Sequence, residues 1–230
     1  MTFAAPGDVP ALVRALVASD PGRPRVTWYG ADGERVELSG HVLENWVAKT
    51  ANLLVEECDA GPGTTVTLDL PPHWRTVVWA LATWSVGADL SGPVLGLGSV
   101  GPDSSADVVV TADPVSAPDG GQVVAVTLAA LARRFEGEGT FDVDDAAEVS
   151  TFADSFDPAG PLDQGEMLDA ARETARSAGW PAAVRLLVRP GTFELVGTVL
   201  APLVVDGSVV LTLGEPGERV RADERVTATT

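Results

Sequence analysis

The sequence predicts an α/β fold in which a largely parallel β-sheet is flanked by helices and a β-hairpin lies near the N-terminus. Short runs rich in β-branched residues alternate with amphipathic stretches of helical period along most of the 230 residues. Apolar residues make up 45% of the chain and the mean hydropathy is +0.16, which excludes extensive disorder. The chain can therefore bury the core of one large domain or two small ones.

A helix and a hairpin are predicted at the N-terminal end. Asp8 can cap a helix that continues through Val17, because its carboxylate can accept hydrogen bonds from the first backbone amides. Two β-like runs, 25–29 and 35–38, flank Gly30-Ala31-Asp32-Gly33. The Asp-Gly pair in that connection is typical of a tight hairpin turn.

A helix, a strand and a second helix follow. Ser39 is expected to cap a long helix whose apolar residues recur at helical spacing as far as Leu54. Gly61-Pro62-Gly63 ends that helix, and the β-branched run 64–70 predicts a strand. The apolar stretch 74–86 predicts the next helix.

The same alternation of short β-like and longer helical runs continues to residue 213. The remaining predicted elements are strands at 88–90, 107–111 and 123–127, helices at 128–135 and 164–178, a strand at 183–188, an apolar helix at 192–204 and a strand at 208–213.

Composition divides the chain into four segments. Residues 1–135 form the first part of the α/β core, 136–163 an acidic and loop-rich insert, 164–214 the second part of the core, and 215–230 a polar C-terminal tail. Between residues 136 and 169 there are 11 acidic residues and no Lys or Arg, so we expect this stretch to be largely solvated. The tail is expected to fray.

Charge excludes two classes of partner. The chain has 15 Lys and Arg against 33 Asp and Glu, a formal net charge of −18, which disfavours nucleic acid and anionic membranes. A protein partner, a second copy of the chain or a small-molecule ligand of unknown identity remains open.

Because the chain has one cysteine, no signal-peptide pattern and no apolar run long enough to cross a bilayer, the expected location is cytoplasmic.

One glycine motif matches the spacing of a dinucleotide-binding loop. Gly96-Leu97-Gly98-Ser99-Val100-Gly101 has the required glycines, but Pro102 follows at once. The strand predicted from Asp107 leaves too few residues for the helix whose N-terminus would hold the phosphates. We interpret the motif as a flexible connection, and no cofactor or cofactor-binding residue is assigned.

The reactive side chains predict neither a catalytic nor a metal site. His41 and His73 are the only histidines, and they lack ligand spacing. Cys58 lies among acidic neighbours that would raise its pKa and suppress the thiolate. The six tryptophans are expected to pack in the core, with Trp74 and Trp180 as candidate exceptions beside loops. No catalytic residue and no metal ligand is therefore assigned.

The order and spacing of several segments resemble those in the N-terminal part of the acyl-adenylate-forming enzymes. This superfamily includes acyl-CoA synthetases, peptide-synthetase adenylation domains and luciferases. No catalytic residue lies among the matched positions. The segments that carry the resemblance are Val26–Gly30, Val36–Ser39, Leu43–Leu54, Gly61–Val66, Leu70–Pro72 and Ala80–Ala88, with a weaker match from Leu195 to Leu213.

The resemblance implies a Ser/Thr/Gly-rich phosphate loop ending in Pro-Lys-Gly between these matches, and this chain departs from it. Residues 154–166 stand there instead, with several carboxylates and no lysine. Carboxylates at that place would repel a triphosphate, since two unit charges about 4 Å apart interact by about 1 kcal/mol even in water. The adenine and ribose motifs and the C-terminal lid of the superfamily are also absent from the sequence.

These observations lead to three functional hypotheses. The first is a degenerate, truncated relative of the adenylating enzymes, similar to uncharacterised short AMP-binding-like proteins of high-G+C bacteria, which acts as a non-catalytic binding or regulatory module. The second is an ATP-dependent acyl-activating enzyme that a partner chain completes. The third is an unrelated α/β protein that binds a small molecule at the carboxyl ends of its strands.

Overall fold

A computed structural model describes residues 5–30, 33–92, 105–118 and 120–230 of the chain. The glycine motif at 96–101 lies outside the described residues. In chain order the helices and strands are α1 (Val9–Ser19), β1 (Pro24–Tyr29), β2 (Arg35–Ser39), α2 (Gly40–Cys58), β3 (Thr65–Asp69), α3 (Trp74–Val86), β4 (Asp89–Ser91), β5 (Val108–Thr111), β6 (Gln122–Ala125), β7 (Val143–Asp144), α4 (Asp145–Glu148), α5 (Gly165–Ser177), β8 (Arg185–Val188), a π-helical segment (Leu195–Leu200), α6 (Ala201–Leu203), β9 (Ser208–Thr212), α7 (Glu218–Asp223) and β10 (Ala228–Thr229).

The chain folds into two compact units. The first contains residues 1–44, 72–74 and 161–230, and the second contains residues 45–71 and 75–160. Helix α2 begins in the first unit and continues in the second. The segment boundaries that we draw at 135, 163 and 214 from composition stay predictions.

The first unit is built on a mixed sheet. Among the described residues, five strands lie in the order β10-β8-β9-β1-β2, and all neighbours are parallel except the antiparallel pair of β1 and β2. Tyr29 pairs with Arg35 at the hairpin end, and Gly33 has a φ of 79°, which glycine adopts readily. The predicted N-terminal hairpin is therefore present. The Asp8 side chain accepts from the Ala11 amide at 2.7 Å and caps α1, as expected.

The second unit is built on a parallel sheet. Its five described strands lie in the order β4-β3-β5-β6-β7, and every neighbouring pair is parallel. Strands β3 and β5 are buried through their centres, and α3 is buried along almost its whole length. Near-continuous apolar runs of this kind are typical of parallel strands that are covered on both faces.

The helix predicted at 128–135 is wrong. This stretch is irregular, with one turn in which the Ala132 amide donates to the Ala129 carbonyl at 3.3 Å. The Leu131 side chain, which would lie on the apolar face of such a helix, is 94% exposed. A helix of this length is not stable from residue propensity alone and needs a buried face, which the segment lacks.

Two further elements differ from the sequence-based expectation. The apolar helix expected at 192–204 begins only at Leu195, because the Glu194 carboxylate accepts from the amides of Val196 and Gly197 at 2.9 and 2.7 Å and caps it there. The C-terminal residues, which we expect to fray, form α7 and β10. Strand β10 pairs with β8, which ties the end of the chain into the first sheet.

All but one of the acidic residues of the stretch 136–169 are exposed or half-buried. Asp145, at the start of α4, has a side chain that is only 1% exposed and forms an ion pair with Arg75 of α3 at 2.6 Å. Burial raises the pKa of Asp145 to about 6, while the charge of Arg75 opposes this shift. The Arg75 guanidinium also lies over the Trp46 ring, 5.4 Å from its centroid. A buried cation in α3 thus requires one carboxylate of the acidic stretch to be buried beside it.

Among the described helices, none is both long and apolar enough to cross a membrane.

Removal of one partner of the buried pair should be costly. We expect Arg75→Met to lower the free energy of unfolding by about 3–5 kcal/mol at pH 7, because the buried Asp145 carboxylate loses its partner and must either stay charged without a counter-ion or take up a proton. The double variant Arg75→Met, Asp145→Leu should recover most of that loss. Urea unfolding curves measure both effects, with the exposed Asp157→Asn as a control. Additive losses in the double variant would contradict the pairing.

Candidate functional site

A cleft of about 350 Å³ lies in the first unit, between the sheet and the C-terminal residues. Its lining includes four arginines, although the chain carries only 15 basic residues in total. Pro24, Ala183, Ser208 and Thr227 add small apolar and hydroxyl surfaces. Cavities of this size are typical of small-molecule sites. The charged residues of the lining are Arg23, Arg35, Arg185, Arg225, Glu37, Asp223 and Glu224.

The Glu224 carboxylate is the centre of a network on one face of the sheet. It accepts hydrogen bonds from the Tyr29 hydroxyl at 2.5 Å and from Arg35 Nε at 2.9 Å, and it is paired with Arg185. The Glu224 side chain is only 5% exposed. Burial alone would raise the pKa of Glu224, but the hydrogen bonds from Arg35, Tyr29 and Arg185 outweigh it and hold the pKa below its usual value.

Arg185 links this network to three strands. Its guanidinium donates to Ser208 Oγ at 3.2 Å and to Thr27 Oγ1 at 2.9 Å, and its Nε donates to the Glu224 carbonyl at 2.6 Å. The side chain of the first residue of β8 therefore reaches across β9 to β1. This arrangement holds the residue that follows α7 against the face of the sheet.

A second carboxylate is shared by two arginines beside the cleft. Asp206 lies 3.1 Å from Arg23 and 2.8 Å from Arg25. Arg25 is fully buried and also donates to the Leu16 carbonyl at 2.9 Å. Asp206 has a φ of 61°, in the left-handed region, and precedes Gly207, whose added Cβ would lie 2.6 Å from the Val184 carbonyl oxygen. The Asp206-Gly207 turn is thus fixed by both charge and close packing.

Lys49, the only lysine of the chain, binds the acidic stretch in the second unit. Lys49 Nζ lies 2.6 Å from Asp154 Oδ1 and donates to the Phe152 carbonyl at 2.6 Å. One turn along α2, Asn52 Nδ2 donates to the carbonyls of Ala153 and Ser155 at 3.1 and 3.0 Å. The start of the segment that replaces the expected phosphate loop is therefore bound to α2 by its own carbonyls and carboxylate.

The carboxyl ends of the parallel strands carry polar residues that already have partners. Thr111 Oγ1 donates to Asp69 at 3.2 Å. Asp144 accepts from the Phe135 amide at 2.8 Å and caps α4 through the Ala146 amide at 3.0 Å. These groups stabilise the loops that follow the strands.

The histidines, the cysteine, Trp74 and Trp180 do not line the cleft. His41 is exposed and lies 3.8 Å from Glu44, while His73 is buried against Trp28 and Trp74. Burial, with Glu57 nearby, raises the pKa of Cys58 to about 12, so its thiol stays protonated at neutral pH. Trp74 is buried and Trp180 half-buried.

Within the described part of the chain, no group of three or more His, Cys, Asp or Glu side chains is arranged to hold a metal ion.

Sequence reasoning did not find the cleft. Its four arginines are distributed from Arg23 to Arg225 and share no motif. The one available signal was that isolated arginines occur in strands β2 and β8, where a charged residue needs a partner if it is buried.

Glu224→Gln should destabilise the first unit. We expect a loss of about 2 kcal/mol at pH 7, because Arg35 and Arg185 lose a charged acceptor. Since the pKa of Glu224 is lowered by folding, its contribution is present above its unfolded pKa of about 4.3 and is lost as the pH falls through the folded value. The difference between wild type and variant should therefore shrink below about pH 4. Thermal unfolding between pH 3 and 8 measures it, with the exposed Glu218→Gln as control; a difference that grows in acid would contradict the network.

The fold is shared with two acyl-CoA synthetases and a fatty acyl-adenylate ligase of known structure. An acyl-CoA synthetase of Brucella canis superposes with a TM-score of 0.74 at 16% identity and covers 96% of this chain and 46% of its own. An acetoacetyl-CoA synthetase from Streptomyces lividans has a TM-score of 0.72 at 17% identity and covers 100% and 44%. A fatty acyl-adenylate ligase from L. pneumophila, in complex with acyl adenylate and pyrophosphate, has a TM-score of 0.62 at 13% identity and covers 90% and 40%.

These structures confirm the predicted α/β fold class. At such identities the likeness shows the fold alone. The chain spans less than half the length of each of the three structures.

No protein-family model matches the chain. A protein of Mycobacterium tuberculosis (strain ATCC 25618 / H37Rv), described as a TIGR03089 family protein, is 34% identical over 220 residues, with 87% of each chain covered. Identity at this level over most of both chains shows common membership, so the chain belongs to the TIGR03089 family.

Proposed function

We propose that this chain is a non-catalytic binding or regulatory module that keeps the fold of an adenylate-forming enzyme without its nucleotide chemistry. One observation carries the proposal. The only lysine, Lys49, is bound to Asp154 and to the Phe152 carbonyl, so it holds the acidic stretch and is not free to hold phosphates.

The charges of the acidic stretch support this proposal. Catalysis of adenylate formation requires positive groups aimed at the charge that develops on the phosphates. The segment 154–166 brings four carboxylates and no Lys or Arg, and all four of these acidic residues are exposed. A triphosphate placed there would meet like charges and no compensating cation.

A second candidate function is an acyl-activating enzyme that another chain completes. It is favoured by the fold match to the acyl-CoA synthetase structures. In that case a partner would supply the lysines and the remaining nucleotide contacts. The third hypothesis, a small-molecule binder of unrelated fold, is disfavoured by the fold match, although small-molecule binding itself is part of the first proposal.

The absence of nucleotide chemistry can be measured directly. We expect no ATP–pyrophosphate exchange with a panel of short-, medium- and long-chain carboxylic acids, and no rise in melting temperature with ATP and Mg²⁺. A ligand at 100 times its dissociation constant would add about 2.7 kcal/mol of stability, which such a scan resolves easily. Exchange above the protein-free background, in the chain alone, would refute the proposal; exchange only after addition of a second chain would favour the second candidate.

Lys49 should contribute to local structure and not to nucleotide binding. We expect Lys49→Met to lower the free energy of unfolding by about 1 kcal/mol, because its carboxylate partner is 64% exposed and the pair is screened by solvent. Hydrogen exchange of residues 150–155 should accelerate. Arg133→Met, which removes an exposed charge of the same unit, is the matched control. A response to ATP and Mg²⁺ in the wild type that is lost in Lys49→Met would instead assign this lysine to a nucleotide.

A further inference from the structure

The cleft of the first unit has an excess of positive charge in a strongly acidic protein. Its lining holds four arginines and three carboxylates, whereas the whole chain has a formal net charge of −18. Glu224 is paired with Arg35 and Arg185, and Arg35 is also paired with Glu37, so two arginines balance two carboxylates. Arg23 is paired with Asp206, and Asp223 lies 3.4 Å from Arg219 outside the lining. One arginine of the lining is left over.

That arginine is Arg225. Within the described residues its guanidinium has no hydrogen-bond or ion-pair partner, while its backbone amide donates to the Ala222 carbonyl at 3.1 Å. An uncompensated guanidinium in a cleft with hydroxyl and backbone groups nearby is suited to an oxyanion, which it can bind through two parallel hydrogen bonds.

The exposed residue Arg225 has a backbone conformation that few residues with a Cβ adopt. Its φ is 50°, and it directly follows the C-cap of α7, with the Val226 amide donating to the Arg221 carbonyl at 3.1 Å. Glycine is the usual residue at this place in a helix-terminating turn, because a Cβ is disfavoured in the left-handed region. Arginine is therefore not the residue that this backbone conformation favours.

We propose that the cleft binds a small organic anion that carries a single oxyanion group, a carboxylate or a phosphate, and that Arg225 holds this group. The inference rests on the proposed function, since it names the ligand class of the binding module. The surplus of one positive charge matches one such group, whereas a triphosphate would bring more negative charge than the lining can balance. A volume of about 350 Å³ leaves room for a polar body of the ligand beside Ser208 and Thr227.

Arg225→Gly is the decisive variant. Glycine suits the left-handed backbone, so the variant should fold with unchanged or slightly higher melting temperature. Titrations with acetate and with inorganic phosphate, followed by NMR of the backbone amides at constant ionic strength with chloride as the reference, should show saturable shifts at residues 183–185, 208 and 223–227. We expect about tenfold weaker binding of the anion in Arg225→Gly. Arg225→Lys should show an intermediate loss, because lysine keeps the charge but lacks the planar guanidinium that donates two parallel hydrogen bonds.

The matched control is Arg133→Gly, which removes an exposed arginine from the second unit and changes the net charge equally. It should bind as the wild type does. Saturation with acetate alone assigns a carboxylate, and tighter saturation with phosphate assigns a phosphate. Absence of saturable shifts with both anions, or equal losses in Arg225→Gly and Arg133→Gly, would overturn the inference. Failure of the proposed function would instead be seen as pyrophosphate exchange, which this titration does not measure.

Discussion

The scarcity of positive charge is the constraint on which much of this structure depends. With 15 basic residues against 33 acidic ones, few cations are available to balance buried or crowded carboxylates. The buried or half-buried cations form ion pairs that hold distant parts of the chain together. These pairs are Arg25 with Asp206, Arg75 with Asp145, Arg185 with Glu224, and Lys49 with Asp154. Each pair joins segments that are far apart in sequence, so these ion pairs act as tertiary contacts. Buried carboxylates without such partners would be costly.

The fold and the chemistry of adenylation depend on different kinds of side chain. The parallel strands and their covering helices depend on apolar side chains, which the chain has in abundance, and the likeness to the synthetase structures follows from them. Adenylation depends on cations placed at phosphates. In this member of the TIGR03089 family the lysine is paired with Asp154 and donates to the Phe152 carbonyl. A shared fold does not by itself carry a shared activity.

The C-terminal residues illustrate how a polar segment can be ordered. From Glu215 onward the sequence is rich in charged residues and has few apolar ones, which favours fraying. The network of Glu224 with Tyr29, Arg35 and Arg185 replaces the missing apolar contacts, and β10 adds backbone pairing with β8. Because three donors converge on one carboxylate, ordering of the segment depends on residues almost two hundred positions upstream. The same network forms one wall of the cleft.

Local sequence determined the elements of this protein and left its site undecided. The caps at Asp8 and Ser39, the hairpin before Arg35 and the β-branched strands follow from interactions between near neighbours, so their positions were predictable. The stretch 128–135 was not, because its helical pattern finds no surface to cover Leu131. The cleft was not either, since Arg23, Arg185 and Arg225 come together only when sheet pairing and the turn after α7 place them. Charges act through space over a few ångströms, and only the folded chain defines which charges are that close.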